Sequence, residues 1–595
     1  MLNLTRQQML SVTKPARYVG GEYNQIIKNK ENIDIRFALC FPDVYDIGMS
    51  NLGLKILYHI LNKREDTWCE RVYAPWPDFE QLMRDQNILL YGLESKDRIR
   101  DFDMVGFTLQ YEMSYTTILN MLDLAAIPIF AKERGREDPF VIAGGPCAAN
   151  PAPMAKFFDF FVIGEAEELI EQVLDKYQIW KKKQLPRQEF LKSIQHLRGI
   201  YVPTLHTFDD TIEKAIVENL DTVEYPTQFV VPNTEVVQNK ISLEVFRGCS
   251  RGCRFCQAGY TYRPVREKTP KRLLKLAKDA VKSTGMNEIS LASLSTSDYS
   301  QFNTLAKDLL DMGEEKKVDI SLPSLRIDSI DIELLKRVQA VRKSSLTFAP
   351  EAGSQRLRDV INKNITKEEI LSACSLAFEN GWSTIKLYFM IGLPTETYHD
   401  LEEIVDLANS IVDLFYSIPK EFRKGRCMVT VSTSTFVPKP HTPFEWCAQN
   451  TLDKIEEKQK FLKERLTNKS IKYAWHHPEI SRLEAVISRG DSKIADVIYE
   501  AYRAGAKLDS WEEHLKLEAW NTAFQKVGIK PEEYANKEYD LDTRFAWDFI
   551  HHGVNKEFLK REYKKAFEEV TTPRCSEKCA ACGVTDIASC HFLKA

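Results

Sequence analysis

The sequence predicts an α/β protein: a doubly wound parallel sheet, then a partial six-fold βα barrel, then a mainly helical carboxyl-terminal region. Three observations predict it. Apolar runs of strand length alternate with helical periodicity from residue 35 to 163. The alternation returns with six strand candidates between residues 242 and 436, fewer than the eight of a closed barrel. From Thr451 onward the patterns are helical.

A length of 595 residues exceeds one ordinary core and predicts two to four domains. Hydrophobic content of 44% with 28% charged residues is that of a soluble globular protein, and a net charge of −4 gives no whole-protein reason to expect nucleic acid. No apolar run reaches the ~20 residues that span a bilayer. Met1–Gln8 lacks a basic-then-apolar export pattern, so the expectation is a cytoplasmic protein with no membrane partner. Of thirteen cysteines, seven fall in two tight groups and six stand singly, which suits reduced thiols and metal sites better than disulfides.

The first expected domain is 1–174. A polar arm with Gly20-Gly21 precedes Ile35–Phe41, which reads as a buried strand, and Leu52–Leu61, an amphipathic helix. Further strands are expected at Asn87–Tyr91, Met104–Thr108, Pro139–Ala143 and Phe158–Ile163. Open parallel sheets bind ligands beyond the carboxyl ends of their strands, where glycine admits close backbone approach. Gly144-Gly145-Pro146 and Gly164-Glu165-Ala166-Glu167 stand at such ends, although glycine turns after strands are also ordinary. Residues 175–240 read as a charged connector with a small β element at Tyr201–His206; Lys181-Lys182-Lys183 reads as a solvated helix face.

The second domain is expected over 241–450. Its strands are Ser242–Phe246, Glu288–Ala292, Asp319–Leu322, Ser344–Phe348, Thr384–Met390 and Met428–Phe436. Thr269-Pro270 opens the first helix as cap and first-turn proline, with Leu273, Leu276, Ala277 and Ala280 inward. Before that helix lies Cys249-Ser-Arg-Gly-Cys253-Arg-Phe255-Cys256. Three thiols so spaced can converge on one inorganic centre, iron–sulfur or zinc. Closed zinc sites usually take four ligands in paired spacings, yet the next cysteine is Cys374 and the loop has no histidine. A [4Fe–4S] cluster on three cysteines leaves one iron open.

Cys249-x-x-x-Cys253-x-x-Cys256, with Phe255 before the third cysteine and the strand Ile241–Phe246 before the first, resembles the signature of the radical S-adenosylmethionine superfamily. The resemblance implies a [4Fe–4S] cluster on these three cysteines, S-adenosylmethionine chelated at the open iron, reductive cleavage to a 5′-deoxyadenosyl radical, and an electron donor such as flavodoxin or ferredoxin. It also implies an incomplete six-fold barrel with cofactor-binding groups at strand ends. By the superfamily's order these would be Ser293 and Ser295 near the methionine amino group, Arg326 on the carboxylate, Glu351 and Ser354 at the ribose, and Gly392 with Pro394 at the adenine; Phe255 sits within the signature itself. The glycine turns of the first domain resemble those of the cobalamin-binding domain found ahead of the radical domain in one branch, which would place Gly144, Gly145, Gly164 and Glu165 around cobalamin. That branch often carries an axial histidine in Asp-x-His-x-x-Gly; here Asp43-Val-Tyr45-Asp-Ile-Gly48 has tyrosine instead, and His59 falls on a helix pattern.

Residues 451–595 are expected to be a helical tail, with helices at Asp453–Leu466, Ser481–Val486, Ser492–Ala504, Trp511–Val527 and Asn555–Val570. Cys575-x-x-x-Cys579-x-x-Cys582 repeats the first register and Cys590 follows, four thiols that can close a site for zinc or a second iron–sulfur cluster. With Trp547–Leu559, the tail resembles a subfamily that joins a cobalamin-binding-like domain to a cysteine-rich end. The resemblance implies modification of an unactivated carbon, as cobalamin-dependent C-methylation or, with a second cluster, as methylthiolation. The local group Arg247, Arg251, Arg254, Arg263, Arg266 and Lys268 suits an RNA or protein substrate such as a ribosomal component, or equally the surroundings of an anionic cofactor. A non-catalytic metal-binding module for RNA or ribosomes is the competing class.

Overall fold

The computed structural model describes residues 4–321, 346–421, 423–590 and 592. Five parallel strands open the fold: β1 Ile35–Phe41, β2 Thr67–Tyr73, β3 Met104–Thr108, β4 Phe140–Gly144 and β5 Phe160–Val162. Their order is β2-β1-β3-β4-β5, and β6 Ile200–Tyr201 closes the edge antiparallel to β5. The chain reverses direction across the sheet between β1 and β3, the place where doubly wound sheets bind ligands. Helix α1, Leu52–Lys63, starts on the Asn51 side chain, which accepts from Leu54 N, and buries Leu54, Ile56 and Leu61. Helices α2, Tyr115–Leu124, and α3, Leu169–Lys183, also belong to this layer, and Lys181, Lys182 and Lys183 are exposed at the end of α3.

Strand β2 has no counterpart in the sequence reading because Glu70-Arg71 interrupts its apolar run. All seven of its residues are nevertheless buried, since Arg71 is paired with Glu94 at 2.6 Å and Glu22 at 3.1 Å. Conversely, the strand expected at Asn87–Tyr91 does not form. That segment is tied to the helix end and the next turn by Leu90 N→Leu124 O and Ile99 N→Leu90 O, and only Tyr91 makes a bridge, to Arg98.

After β7, Ile212–Glu213, the second domain builds a three-stranded parallel sheet, β8 Ile241–Glu244, β11 Glu288–Ala292 and β12 Asp319–Ser321, in the order β12-β11-β8. Between β8 and β11 the short strands β9 Phe246–Arg247 and β10 Arg266–Glu267 pair antiparallel, and helix α4, Pro270–Thr284, follows β10. A four-stranded parallel sheet follows: β13 Leu346–Glu351, β14 Thr384–Ile391, β15 Met428–Thr435 and β16 Ile471–Trp475. The last is a seventh strand that sequence periodicity missed; its edge position buries only Ile471 fully. Arg326 and the first residues of the strand expected at 344–348 lie outside the described residues.

The carboxyl-terminal segment is spread over both domains. Helices α6, Pro478–Ser488, and α7, Ile494–Arg503, are held to the first sheet's layer by the segments that follow each of them, through Thr116 Oγ1→Asp509 at 2.6 Å, Trp511 Nε1→Asp43 at 2.8 Å and Asn150 Nδ2→Gly490 O at 2.8 Å. Beyond them β17, Ile550–His551, pairs with β7, and helix α8, Lys556–Phe567, returns to the barrel. One apolar core unites the first sheet, the three-stranded sheet and the bracing helices; the four-stranded sheet has its own, around Leu387, Phe389 and Val431. Among the described residues no helix is long and apolar enough to cross a membrane.

The first sheet meets the connector at Gly164, whose backbone bridges Ala215 with φ of +95°. A Cβ there would stand 2.3 Å from Ala215 O. Gly164→Ala is therefore expected to lower unfolding free energy by about 2 kcal/mol or more, because both the left-handed backbone and the bridge resist a side chain; urea denaturation measures it, and an unchanged midpoint would contradict this reading of the turn.

Candidate active site

The loop that carries Cys249, Cys253 and Cys256 is an excursion pinched at its base by β9 and β10. Gly248 turns the chain out of β9 with φ of +86°, where a Cβ would meet Pro264 O at 2.5 Å. The pairing sets Arg247 directly opposite Arg266, a like-charge pair that unaided would repel. Carboxylates relieve it: Glu165 accepts from Arg266 at 2.7 and 2.8 Å, while Glu165, Glu167 and Glu244 surround Arg247. Lys268 completes the group on Glu244 at 2.6 Å.

The tip of the loop is gripped from outside. Arg251 makes a two-toothed pair with Asp298, at 2.7 and 2.5 Å. Arg254 is wholly buried; it donates to Glu562 of α8, to Asp359 O and Val360 O at the end of helix α5 (Gln355–Val360), and to Val570 O. Asn362 Nδ2 and Tyr260 OH both donate to Gly252 O, and Cys575 N donates to Ser250 O at 2.9 Å. Arg247, Arg251, Arg254, Arg266 and Lys268 are thus paired with carboxylates within the fold, and the buried Arg263 donates to Gly259 O and Arg251 O, which removes the six as an RNA-facing patch.

The three thiols share one environment. Burial pushes Cys249 up to about 12 and Cys256 up to about 11, and raises Cys253, with the neighbouring cysteines adding to the shift of Cys249 and Cys256. Metal binding here must displace protons. As placed, no three His, Cys, Asp or Glu side chains among the described residues converge into a metal-holding group. What the loop offers is the donor set of three thiols, with Cys253 and Cys256 as electrostatic neighbours of Cys249. That set fits a cluster with one corner free of protein.

Some expected cofactor residues gather around these thiols and others do not. Glu351, at the end of β13 with φ of +67°, accepts from Lys363 at 3.2 Å, and both flank Cys253 and Cys256. Phe255 packs against the cluster that holds Leu357, Leu393 and Phe436, and Leu393 lies between Gly392 and Pro394. That turn is closed by Glu396, which accepts from Gly392 N at 2.8 Å and from Lys458 at 2.6 Å. Ser293 faces the cavity described below, its hydroxyl 2.9 Å from that of Thr296. Ser295 donates to Asp298 at 2.7 Å, so it supports the anchor of Arg251. Ser354 is buried as the cap of α5, accepting from Leu357 N at 3.1 Å and donating to Asp400. Lys363 was not anticipated; burial disfavours its charge, but Cys253 and Glu351 outweigh that and raise its pKa. The Asn362-Lys363-Asn364 turn, with both asparagines at positive φ, was its sequence signal.

A cavity of about 420 Å³ lies between α1, the carboxyl ends of the first sheet and the base of the cysteine loop. Its volume is that of an ordinary small-molecule site. Leu39, Leu57 and Phe107 make it mainly apolar; Thr108, Gln110, Glu167 and Arg247 supply polar groups, and Gly248, Tyr262 and Ser293 form the wall shared with the cysteine-loop side. Of the expected glycines all three touch the cavity, but for different reasons. Gly145 and Gly164 are required by protein backbone, Leu109 O at 2.9 Å and Ala215 O at 2.3 Å, whereas a Cβ on Gly144 meets nothing closer than 3.5 Å. Glu165 lines the cavity while holding Arg266. Tyr45 is not part of the lining; it is buried and donates to Glu22 at 3.1 Å.

The tail cysteines form a separate set. Cys575 has Cys582, Cys590 and Cys579 as electrostatic neighbours, and Cys582 packs against the apolar cluster of Trp446, Trp547 and Phe558.

Residues 53–203 match the family of radical SAM proteins, N-terminal, and residues 243–408 match the radical SAM superfamily. An uncharacterized protein of Methanocaldococcus jannaschii is 29% identical over 83% of this chain and 97% of its own length. An uncharacterized methyltransferase of Pyrococcus horikoshii is 22% identical over 53% of this chain and 66% of its own. A tRNA-2-methylthio-N(6)-dimethylallyladenosine synthase of Hydrogenobaculum sp. is 24% identical over 36% and 46%. Among solved structures, the cobalamin-dependent S-adenosylmethionine radical enzyme OxsB aligns over 90% of this chain and 79% of its own with 12% identity and a TM-score of 0.46.

The charge group at the loop base predicts an acid response. Burial pushes Glu244 up, but Arg247 and Lys268 outweigh it and hold the carboxyl down at about 2, against 4.5 when unperturbed. The folded state favours the anion, so this contribution is complete above about pH 4.5 and is lost as pH falls toward 2, roughly 3 kcal/mol in all. Urea midpoints measured from pH 6 to 3 should fall more steeply for the wild type than for Glu244→Gln; parallel curves would show that the carboxyl carries no such linkage.

Proposed function

The chain belongs to the radical S-adenosylmethionine superfamily, and from that premise we propose a methyl-transferring radical enzyme that works with cobalamin held between its two domains. The observation that carries this reading is the position of the cavity, with one wall made by the switch point of the first sheet and the other by Gly248, Tyr262 and Ser293 at the base of the cysteine loop. When bound, the cluster and S-adenosylmethionine supply an electron and a carbon radical able to take hydrogen from an unactivated carbon, and cobalamin supplies the methyl group.

The chain's own residues have definable parts. Cys249, Cys253 and Cys256 would hold the cluster, with Lys363 and Glu351 the charged pair nearest to it. Phe255 and the Gly392–Glu396 turn form a packed edge where an adenine can rest. The apolar lining of the cavity suits a corrin face, and Gly144 leaves room on that side. Tyr45 is engaged with Glu22, and among the described residues no histidine lines the cavity, so the groups that would hold cobalamin are the apolar and polar side chains of the lining. The strand faces turned from the helices carry Ser242, Ser290, Ser432 and Ser434, together with the half-exposed Tyr388, which suits a polar substrate such as RNA or a protein segment. Methylthiolation is the second reading, favoured by the four further thiols near the loop; it requires that sulfide or sulfur reach the tail site.

Anaerobic protein reconstituted with iron and sulfide should release 5′-deoxyadenosine when given S-adenosylmethionine and dithionite, and Cys253→Ala should lower that yield at least ~100-fold. The same protein should retain about one cobalamin per chain by visible absorption, and Gly144→Leu should lose it while its unfolding midpoint stays within ~1 kcal/mol of wild type. An intact cluster with no deoxyadenosine would overturn the radical reading; no cobalamin retained by the wild type would overturn the methyl-transfer part and favour the second reading.

A further inference from the structure

We propose that Cys575, Cys579, Cys582 and Cys590 form a closed four-thiolate metal centre that fastens the cysteine loop of the radical domain from behind. Only the identity of what is fastened rests on the function proposed above. Four thiols complete a tetrahedral zinc or the four corners of an iron–sulfur cluster, leaving no position for substrate, so the site suits a structural task.

The segment needs such a fastening. From residue 571 to 590 it holds a single short helical turn, Val584–Asp586, and the apolar side chains it buries are Val584, Ile587 and Ala588. So small a core does not offset the entropy of fixing this length of chain, whereas a metal centre can. The segment is nevertheless knitted into the fold: Cys575 N donates to Ser250 O at 2.9 Å, one residue from Cys249, Asn555 N donates to Cys582 O at 3.0 Å, and Arg198 donates to Ile587 O at 2.8 Å.

A second observation marks where negative charge belongs. Arg263 is 4% exposed, lies 5.0 Å from the Tyr260 ring and 5.5 Å from that of Phe558, and its Nη1 is buried with no hydrogen-bond partner. Cys582 packs against the apolar cluster that holds both rings, and Cys575 and Cys582 are electrostatic neighbours of Arg263. A buried, incompletely partnered guanidinium is costly unless an anion lies beside it, and a four-thiolate centre carries net negative charge whether it holds zinc or a cluster. Arg263 also donates to Arg251 O at 3.3 Å, so the cation links the tail site to the loop tip directly.

The test counts metal in the full chain. Cys249→Ala, Cys253→Ala and Cys256→Ala combined should leave one zinc per chain, or iron with matching acid-labile sulfide, and the ratio of the two metals to sulfide distinguishes the centres. Cys579→Ala with Cys590→Ala should lose that metal only, keep the loop's iron, and lose the loop's iron to a chelator roughly 10-fold faster. Arg263→Gln should shift the chelation rate in the same direction. Equal metal content in the wild type and the Cys579/Cys590 variant, or no metal in the triple variant with a native circular dichroism spectrum, would overturn the site; unchanged chelation rates would overturn the fastening. Neither count depends on deoxyadenosine release, so a failure of the radical reading remains separable.

Discussion

Everything near the site depends on neutralising two arginines that face each other. Arg247 and Arg266 are cross-strand partners at the neck of the cysteine loop, and the neck closes because Glu165 and Glu167 of the first domain and Glu244 of the second surround them. In a buried setting such charges destabilise unless each finds a partner. The arrangement therefore couples domain docking to loop closure: the first domain supplies carboxylates that the second domain's loop requires. It also places the 420 Å³ cavity at the joint, since the same residues form part of its wall.

The glycine-rich turns acquire two meanings from this geometry. Gly145 and Gly164 lie where one backbone passes over another, and a side chain on either would strike a carbonyl of the protein itself. Gly144 alone of the three admits a Cβ at ordinary contact distance, 3.5 Å from Val162 O. A motif that in an open sheet signals ligand approach is here shared between ligand space and chain crossing, because Leu109 after β3 crosses the end of β4 and the connector crosses the end of β5 through Ala215.

A comparable sharing holds at the far side of the loop. Arg254 spans from the loop tip to Glu562, and Asn362 links Gly252 O to Thr572 N, so helix α8 and the cysteine-rich tail are the loop's outer support. The helices between 478 and 527 meanwhile brace the first sheet's layer through Thr116, Asn150 and Asp43. The carboxyl-terminal segment thus serves both domains, and the precision of the loop comes from residues some three hundred positions downstream.

The sequence by itself determined what depends on local spacing. Thiols at 249, 253 and 256, the apolar periods of β1, β3, β4, β11, β14 and β15, and the helices of the tail are all short-range patterns, and each was legible. Charge hid β2, because Arg71 reads as solvent-facing until Glu22 and Glu94 are placed beside it. The edge strand β16 was hidden by having only one buried face. Which basic residues are internal, which hydroxyls cap helices rather than face a cofactor, and where the second set of thiols sits were decided by tertiary structure alone. The physical reason is that ion pairs and backbone crossings join residues 50 to 300 positions apart, as with Glu165 and Arg266 or Arg254 and Glu562, and no local period records such a partner.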